Sequence, residues 1–268
     1  MTNTLDSRLG PLFAKCREEK RAALVGYLPA GYPTVDGSIE ACIAMVEAGC
    51  DIIEVGVAYS DPVMDGPTIQ AAAEQALANG VRLKDVFKVV EAIAKAGGNA
   101  VVMTYWNPVL QYGVDRFARD LNAAGGLGLI TPNLIPEEAG EWMAASDAHN
   151  LDRIFLVAPS STEERIALTL EATRGFVYAS SVMGVTGARD NVSSAAPEIC
   201  QRVRAHSDMP IGVGLGVRSG AQAAEIARYA DAVIVGSALV TATSQGLDSV
   251  RRLTAELAEG VRSATVGS

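Results

Sequence analysis

Apolar positions along the chain follow two alternating periods. Short runs that are apolar on both faces, as buried parallel strands are, are separated by stretches with helical spacing such as "SIEACIAMVEAG". These runs predict strands at residues 22–28, 51–57, 100–106, 127–132, 153–159, 175–180, 210–216 and 230–236. No linker rich in Pro or Ser divides the chain. The repeated alternation predicts a single-domain α/β fold over residues 1–268, a (β/α)8 TIM barrel; a doubly wound open sheet is the alternative.

An extra helix is predicted before the first strand. The segment "SRLGPLFAKC" places Leu9, Leu12, Phe13 and Cys16 at helical spacing. We expect this N-terminal helix to cover the bottom of the barrel.

The second predicted strand, "DIIEVGV", contains a carboxylate. With a period of two, Ile53 and Val55 face one way, while Ile52 and Glu54 face the other, which we take to be the inside of the barrel. A buried carboxylate without compensation is unfavourable by several kcal/mol. Active sites of such barrels lie at the carboxyl ends of the strands, so Glu54 is predicted to act in acid/base catalysis. A structural glutamate, bonded to amides or to an arginine, is the alternative.

Glycines at the ends of the last strands predict a phosphate site. They occur in "SSVMGVTGARD", "GVGLGVRSG" and "VIVGSALV", the last of which opens a helix at Gly236 and Ser237. Glycine lets backbone N–H groups approach an anion, and the N-terminus of a helix favours negative charge. The run "GVGLGV" lacks the spacing of a dinucleotide fingerprint.

Charge and residue usage exclude several classes of function. A formal net charge of −9 argues against binding to nucleic acid or to an anionic membrane. No lysine follows Lys95, so a Schiff-base lysine at a late strand end is absent. His149 and His206 each end a helical segment before a strand, which places them at the bottom of the barrel. Because they lie far from the expected site, neither a zinc site nor a Ser–His pair is expected there. Acid/base catalysis by carboxylates on a phosphorylated small molecule remains.

The expected location is the cytoplasm. No apolar run reaches the roughly 18 residues that a membrane-spanning helix needs, and the start of the chain lacks the apolar core of a signal peptide. The four cysteines show no metal-binding spacing and are expected to be reduced.

Apolar and aromatic side chains near the strand ends would suit a flat aromatic substrate with a phosphate tail. The candidates for this wall are Tyr27, Met103, Tyr105, Leu156, Tyr178, Leu215 and Ile234. Side chains that simply fill the layers of the barrel are the alternative.

The motifs together resemble the tryptophan synthase alpha chain family. "IIEVGVAYSDPVMDGPTIQ" is similar to the family's signature around its glutamate, and "GVTGARD", "GVGLGVRS" and "VIVGSALV" match its later loops in order and spacing. The resemblance implies a barrel enzyme that cleaves indole-3-glycerol phosphate to indole and glyceraldehyde 3-phosphate without a cofactor of its own. It also implies a beta chain as partner in an alpha2-beta2 complex, whose pyridoxal phosphate joins indole to serine.

The resemblance also implies roles for individual residues. Glu54 matches the acid/base glutamate, Asp65 the aspartate near the indole nitrogen, and Thr186 the threonine of the closing loop. The phosphate cradle corresponds to Gly187, Gly216, Gly236 and Ser237, and the contact with the beta chain to Asp61 and Asn107. Tyr27, Met103, Tyr105, Leu156 and Tyr178 fall at positions that line the pocket.

Two positions depart from the family pattern. Ala58 stands where the family usually has proline, and Asn133 where an aspartate is expected; either change is expected to loosen the loops or weaken coupling between subunits. Three other functions stay open at this point. They are a different phosphate-binding barrel such as an isomerase or prenyl transferase, a non-catalytic regulatory subunit, and a stand-alone lyase that releases free indole.

Overall fold

The computed structural model describes residues 7–180, 195–214 and 216–264. The strands within these ranges are β1 (Ala23–Pro29), β2 (Ile52–Gly56), β3 (Ala100–Met103), β4 (Gly128–Ile130), β5 (Asp152–Ile154), β6 (Leu156–Val157), β7 (Val177–Ser180), β8 (Ile211–Gly214) and β9 (Ala232–Val235). The helices are α1 (Gly10–Glu18), α2 (Val35–Glu47), α3 (Pro67–Ala78), α4 (Leu83–Lys95), α5 (Trp106–Tyr112), α6 (Val114–Ala123), α7 (Gly140–Ala148), α8 (Glu163–Ala172), α9 (Ala195–Arg204), α10 (Gly220–Ile226), α11 (Ser237–Ser244) and α12 (Leu247–Ser263).

All strand pairs are parallel, and the sheet runs in the order β5-β4-β3-β2-β1-β9-β8-β7-β6. Only Phe155 separates β5 from β6, so these two segments form one interrupted strand. Its first part pairs with β4 and its second part with β7, and the N–H of Tyr178 donates to the carbonyl of Phe155 at 3.0 Å. The chain therefore closes the sheet into a TIM barrel, as predicted, and the alternative of a doubly wound open sheet is excluded.

The predicted strands are in the right places, but several extend too far. The third was predicted over 100–106, whereas β3 ends at Met103 and Trp106 already begins α5. Tyr105 keeps an extended backbone (φ −63°, ψ 156°) as the residue before this helix, which explains why "TYW" resembles the end of a strand. The strand predicted over 210–216 ends at Gly214.

Hydroxyl side chains set the starts of several outer helices. Thr34, Thr162 and Ser219 precede α2, α8 and α10, and each accepts a hydrogen bond from the backbone N–H three residues later, at 3.0, 3.2 and 3.3 Å. Such caps satisfy amides that the helix leaves without a partner. The turns that lead from the strands into these helices are therefore fixed locally.

Two apolar cores lie on either side of the strands. The outer core packs the strands against the helices, and the inner core fills the barrel with inward-facing side chains that include Val25, Ile52, Val101 and Ile154. In β8, the glycine at position 212 leaves space for the ring of Phe176, whose Cε2 atom lies 2.8 Å from where a Cβ would stand. The ring of Phe176, the residue before β7, can therefore enter the barrel.

The N-terminal helix α1 covers the bottom of the barrel, as predicted. Leu9, Phe13 and Cys16 belong to the inner core, and the ring of Phe13 lies 5.8 Å from that of Phe176. Asp152, the first residue of β5, fixes the start of this segment by accepting hydrogen bonds from the backbone of Leu9 at 2.9 Å and from two further donors. The bottom of the barrel is therefore closed by packing and by buried hydrogen bonds.

Candidate active site

Glu54 points into the barrel near its mouth. Alternation along β2 sends Ile53 and Val55 into the outer core and Ile52 into the inner core, so Glu54 faces inward with Ile52. Its side chain is buried, and its Oε2 atom accepts no hydrogen bond from any residue that the structure describes. Burial and the neighbouring Asp65 carboxylate raise the pKa of Glu54 to about 8. The group therefore holds its proton at neutral pH and is able to donate it.

The surroundings of Glu54 disfavour the structural alternative. A structural glutamate would bond to amides or to an arginine, but Oε2 has no partner within the described part of the chain, and no cation contributes to the pKa shift. Burial of an unpaired polar group is unfavourable, and groups with such strongly shifted pKa values cluster at functional sites. This environment is typical of a catalytic acid.

Tyr105 holds Asp65 in the loop after β2. The Tyr105 hydroxyl donates to Asp65 Oδ1 at 3.0 Å and accepts from the backbone N–H groups of Val63 at 3.2 Å and Met64 at 3.0 Å. Gln70 adds a bond from Nε2 to the backbone carbonyl of Asp65 at 2.8 Å. One phenol thus orders both the loop and its carboxylate.

Tyr105 is the proton donor to Asp65 at neutral pH. Burial raises the pKa of the Asp65 carboxyl, while the hydrogen bond from Tyr105 acts in the opposite direction. Burial raises the pKa of Tyr105 to about 12, so its hydroxyl keeps the proton that it shares with Asp65. The pair therefore presents a fixed acceptor at the mouth of the barrel.

Two further tyrosines form walls beside Glu54. The ring of Tyr27 packs over Gly56, where a Cβ would lie 2.7 Å from its Cζ atom, and also lies beside Gly236. The hydroxyl of Tyr178 occupies the space that a side chain at position 214 would need. Burial raises the pKa of both phenols, with a further contribution from negative charge at Glu54. Both groups stay neutral and present aromatic faces to the site.

The other predicted wall residues lie at different depths. Met103 ends β3, and Leu156 opens β6 opposite Tyr178; both pack partly buried against the inner core. Ile234 pairs in register with Val25, two residues below Tyr27, and is almost fully buried. Ile234 therefore belongs to the floor of the site. Leu215 and Thr186 lie outside the described residues.

Gly236 and Ser237 begin α11 at the end of β9, where a phosphate was predicted. The carbonyl of Gly236 accepts from the N–H groups of Leu239 at 2.9 Å and Val240 at 3.1 Å, and glycine supplies no side chain to cap the helix. The first amides of α11 are thus available to an anion. Gly216 adopts a φ of +62°, in the left-handed region that glycine favours. Gly187 lies outside the described residues.

The predicted partner residues lie next to Tyr105. Asn107 Nδ2 donates to the Tyr59 hydroxyl at 3.3 Å, and the Tyr59 ring packs 5.4 Å from that of Tyr105. Asp61 is exposed and accepts from the Ser60 hydroxyl at 2.5 Å. Asn107 is therefore connected with Asp65 through the side chains of Tyr59 and Tyr105.

Asn133 keeps an ordering role despite its missing charge. Its Oδ1 atom accepts a hydrogen bond from the backbone N–H of Trp106 at 2.9 Å, at the first residue of α5. An amide oxygen accepts this bond as a carboxylate would, although without the added strength of a charge. Ala58 is half-buried in the loop after β2 and carries no comparable contact.

Neither a metal cluster nor a membrane helix occurs in the part of the chain that the structure describes. Within residues 7–180, 195–214 and 216–264, no group of three or more His, Cys, Asp or Glu side chains is arranged to hold a metal ion. Over the same ranges, no helix combines the length and the apolar character needed to cross a bilayer.

Comparison with known proteins decides the family. A family model described as "Tryptophan synthase alpha chain" matches residues 13–266. The chain belongs to the tryptophan synthase alpha chain family. A tryptophan synthase alpha chain from Nocardia farcinica is 77% identical over 262 residues, which cover 98% of each chain, and one from Mycobacterium bovis is 71% identical over 256 residues, 96% of this chain and 95% of that one.

Solved structures give the same result for the fold. A structure of Mycobacterium tuberculosis tryptophan synthase superposes with a TM-score of 0.93 at 70% identity, covering 96% of this chain and 98% of the other. The alpha subunit from Legionella pneumophila, at 29% identity, superposes with a TM-score of 0.85 over 96% of this chain and 99% of that one. The family resemblance and the barrel predicted from the sequence are both confirmed.

The sequence predicted that Glu54 and Gly236 lie at strand ends, and the structure has them there, but the contacts between loops were missed. Tyr105 was expected only as a wall, whereas its hydroxyl bonds to the loop of Asp65. Tyr59 was not considered, although its ring lies between Asn107 and Tyr105. The aromatic residues in "AYS" and "TYW" were the available signal, since a buried phenol usually finds a hydrogen-bond partner.

Proposed function

We propose that the chain is the alpha subunit of a tryptophan synthase and acts as a carbon–carbon lyase on indole-3-glycerol phosphate. The products are indole and glyceraldehyde 3-phosphate, and the chain needs no cofactor of its own. The observation that carries this proposal is the buried Glu54 carboxyl, which has a pKa of about 8 and an unpaired Oε2 among the described residues. Membership of the family supports the choice of substrate.

Glu54 moves the protons of the reaction. The bond to be broken joins C3 of the indole to the hydroxyl-bearing carbon of the glycerol chain. Glu54 donates its proton to C3, which makes the ring an electron-poor indolenine cation, and the resulting carboxylate then accepts the proton of the hydroxyl. The electron pair of the broken bond returns to the ring, and the hydroxyl carbon becomes the aldehyde. Glu54 thus regains its proton, and charge balances over the cycle.

Asp65 stabilises the charge that develops on the ring. As an anion beside the indole N–H, it would accept a hydrogen bond that strengthens when C3 is protonated. The bond from Tyr105 to Asp65 at 3.0 Å supports this role, because it favours the ionised form and fixes the position of the carboxylate. Roles in opposite protonation states for two nearby carboxyl groups are a recurring arrangement in acid/base catalysis.

The walls and the helix terminus orient the substrate. Tyr27, Tyr178, Met103 and Leu156 would enclose the indole ring, with Ile234 below it. The phosphate would bind at the first amides of α11, beginning with Ser237, so that the scissile bond is held near Glu54. We assign Thr186 and Gly187 to the same site on the basis of the family resemblance, and Leu215 on the basis of its position near a predicted strand end.

A beta chain is the expected partner, in an alpha2-beta2 complex in which it holds pyridoxal phosphate and uses the indole. Asp61 and Asn107 are the proposed contacts. Three of the most exposed large apolar side chains of the described residues lie on the same group of loops and on α5, which supports a protein contact there: Val63, Leu110 and Ile135. The four cysteines are buried and unpaired, which fits the expected cytoplasmic location.

Replacement of Glu54 by Gln tests the proposed function. Glutamine keeps the size of the side chain but cannot transfer the proton, so we expect turnover to fall by about 10²–10⁴-fold with little change in substrate binding. The measurement is steady-state release of indole from indole-3-glycerol phosphate. Glu91→Gln is the matched control, because Glu91 lies on an outer helix and pairs with Lys95 at 2.7 Å.

Normal turnover of Glu54→Gln would reject the assignment of this residue. Absence of indole release by the unmodified protein, alone and with a purified beta chain, would reject the substrate. If the beta chain neither binds nor changes the rate, the protein is a stand-alone lyase.

A further inference from the structure

Tyr27 lies near the end of β1, between the strand that leads to the proposed phosphate site and the strand that carries the proton donor. In the sheet, β1 is flanked by β9, which is followed by Gly236, and by β2, which contains Glu54. Tyr27 is paired in register with Glu54, and Val25, two residues earlier, belongs to the inner core. Alternation along β1 therefore turns the Tyr27 side chain into the barrel beside Glu54.

The ring of Tyr27 extends from one of these neighbouring strands to the other. At the base of the side chain, Cβ and Cδ1 lie 3.8 and 3.6 Å from where a Cβ at Gly236 would stand. At the tip, the hydroxyl oxygen lies 2.5 Å from where a Cβ at Gly56 would stand, and Gly56 follows Glu54 on the inward face of β2. The hydroxyl therefore points away from the phosphate site and towards the strand of Glu54.

The Tyr27 hydroxyl has no hydrogen-bond partner within the described residues, although the side chain is only 8% exposed. A buried phenol usually finds such a partner. Tyr105 provides the contrast, because its hydroxyl donates to Asp65 and accepts from the N–H groups of Val63 and Met64. Tyr27 thus presents an unused polar group to the interior of the barrel, where a ligand would lie.

This group is a hydrogen-bond donor at neutral pH. Burial raises the pKa of Tyr27, and negative charge at Asp65 and Glu54 raises it further, so the phenol keeps its proton. Tyr178, the other phenol beside Glu54, places its hydroxyl at Gly214 on β8, two strands away from β1. The two phenols therefore serve different sides of the barrel, and Tyr27 serves the side between the phosphate site and Glu54.

The glycerol chain of the proposed substrate would cross β1 at Tyr27. Its phosphate would bind at the first amides of α11, which follow Gly236, while the bond to be broken lies near Glu54. The carbons between them must then pass along the Tyr27 ring, which borders both the indole and the glycerol chain. The carbon attached to the indole would lie at the hydroxyl end of the ring, and the phosphate at its base.

We propose that the Tyr27 hydroxyl positions the reacting hydroxyl group of the substrate. It donates a hydrogen bond to the oxygen on the carbon attached to the indole, so that the proton of this oxygen is directed at Glu54. The same bond stabilises the oxygen as it loses its proton and becomes the aldehyde oxygen. Tyr27 keeps its own proton throughout, so the proton balance through Glu54 is unchanged. The identity of the substrate in this inference rests on the proposed function.

Replacement of Tyr27 by Phe tests this role, because phenylalanine keeps the ring over Gly56 and removes only the hydroxyl. We expect kcat/KM for indole release from indole-3-glycerol phosphate to fall about tenfold. An indole with an unbranched propyl phosphate chain at C3 has no hydroxyl to be positioned, so its inhibition constant should stay within about twofold. Tyr112→Phe is the control, since the Tyr112 hydroxyl bonds to Asp120 at 2.6 Å on the outer helices, and it should leave both quantities unchanged.

The analogue without hydroxyl groups separates positioning from packing. If Tyr27→Phe weakened binding of this analogue as much as it lowered kcat/KM, the hydroxyl would support the wall or Asp65, and the proposal would be overturned. An unchanged kcat/KM in Tyr27→Phe would also overturn it, while leaving the proposed function intact. If the unmodified protein released no indole, alone and with a beta chain, the proposed function would be rejected together with this inference.

Discussion

Glu54 and Asp152 are both buried carboxyl groups on barrel strands, 1% and 0% exposed, and they lie at opposite ends of the barrel. Asp152, at the bottom, accepts hydrogen bonds from the Ser7 hydroxyl at 2.7 Å and from the N–H groups of Arg8 at 3.1 Å and Leu9 at 2.9 Å. Glu54, near the mouth, leaves Oε2 without a partner among the described residues. The two carboxyl groups are thus equally buried, but Asp152 accepts three hydrogen bonds whereas Glu54 leaves one oxygen unpaired.

The difference separates stability from function. A buried carboxylate that accepts several hydrogen bonds fixes the elements that donate them, and at the bottom of the barrel this is the segment leading into α1. A buried carboxyl with an unpaired oxygen fixes no neighbouring element, but it holds a proton near neutral pH. We therefore expect activity to depend on residues at the mouth of the barrel, and stability of the fold to depend on residues at its bottom.

The largest effect on stability is expected from Asp152→Ala. The change removes three hydrogen bonds and leaves buried donors without an acceptor, so the free energy of unfolding should fall by about 3 kcal/mol. Turnover per folded molecule should stay within about twofold, since the residue lies at the end of the barrel away from Glu54. Urea unfolding and the indole assay measure the two quantities.

The control for this change is Asp115→Ala, which removes an exposed carboxylate whose main contact is His149 at 2.8 Å. Its free energy of unfolding should change by less than about 0.5 kcal/mol. If Asp152→Ala lowered turnover without lowering the free energy of unfolding, the assignment of stability to the bottom of the barrel and of activity to its mouth would be wrong.

A pH-dependent effect of similar size is expected when the Glu54 carboxyl loses its proton. Its pKa rises from an ordinary 4.5 to about 8 in the folded protein, so the folded state binds the proton more tightly than the unfolded state. The stability that this proton contributes is complete below pH 4.5 and is lost as pH rises through 8. Three titratable groups face Glu54: burial raises the pKa of the Asp65 carboxyl, and it raises the pKa of Tyr27 and of Tyr178, so both phenols stay neutral over this range.

The comparison of the native protein with Glu54→Gln isolates this contribution. Between pH 5 and pH 9 the native protein should lose about 4 kcal/mol of stability relative to the variant, which cannot ionise at this position. Urea unfolding at a series of pH values measures the difference. A difference that stays constant over this range would mean that Glu54 has an ordinary pKa.

Sequence patterns predicted the barrel and the direction of Glu54 because both follow from local periods. The period of two along "DIIEVGV" places Ile52 and Glu54 on one face, and the inner core contains Ile52. The depth of Ile234 was not predictable in this way, since it depends on the register between β1 and β9. The fifth strand is a similar case, because its interruption at Phe155 arises where the barrel closes.

Hydrogen bonds between loops were the least predictable feature. Tyr105 and Asp65 are 40 positions apart in the sequence. Trp106 and Asn133, which are also hydrogen-bonded across the mouth, are 27 positions apart. No local pattern relates such positions, because they meet only when neighbouring strands align. Asn133, which stands where the family has an aspartate, is an example. The sequence indicated a lost charge, whereas the Asn133 side chain still accepts a hydrogen bond from the N–H of Trp106 at the start of α5.

The smallest effect is expected from Tyr105→Phe, which removes only the hydroxyl that holds Asp65. Asp65 Oδ1 loses its donor, and the N–H groups of Val63 and Met64 lose their acceptor. We expect kcat to fall about tenfold, equivalent to about 1.4 kcal/mol, because Asp65 becomes less well placed beside the ring N–H. Tyr112→Phe is the control, since the Tyr112 hydroxyl bonds to Asp120 on α6, away from the mouth.

The pH profile distinguishes a positioning role from a packing role for Tyr105. The bond from Tyr105 lowers the pKa of Asp65, so its removal should raise that pKa and move the acidic limb of the kcat profile to higher pH. A phenylalanine that merely loosened packing would lower kcat at every pH without moving the limb. An unmoved acidic limb would therefore assign Tyr105 to the wall of the pocket alone, and Asp65 would owe its position to the loop backbone and to Gln70.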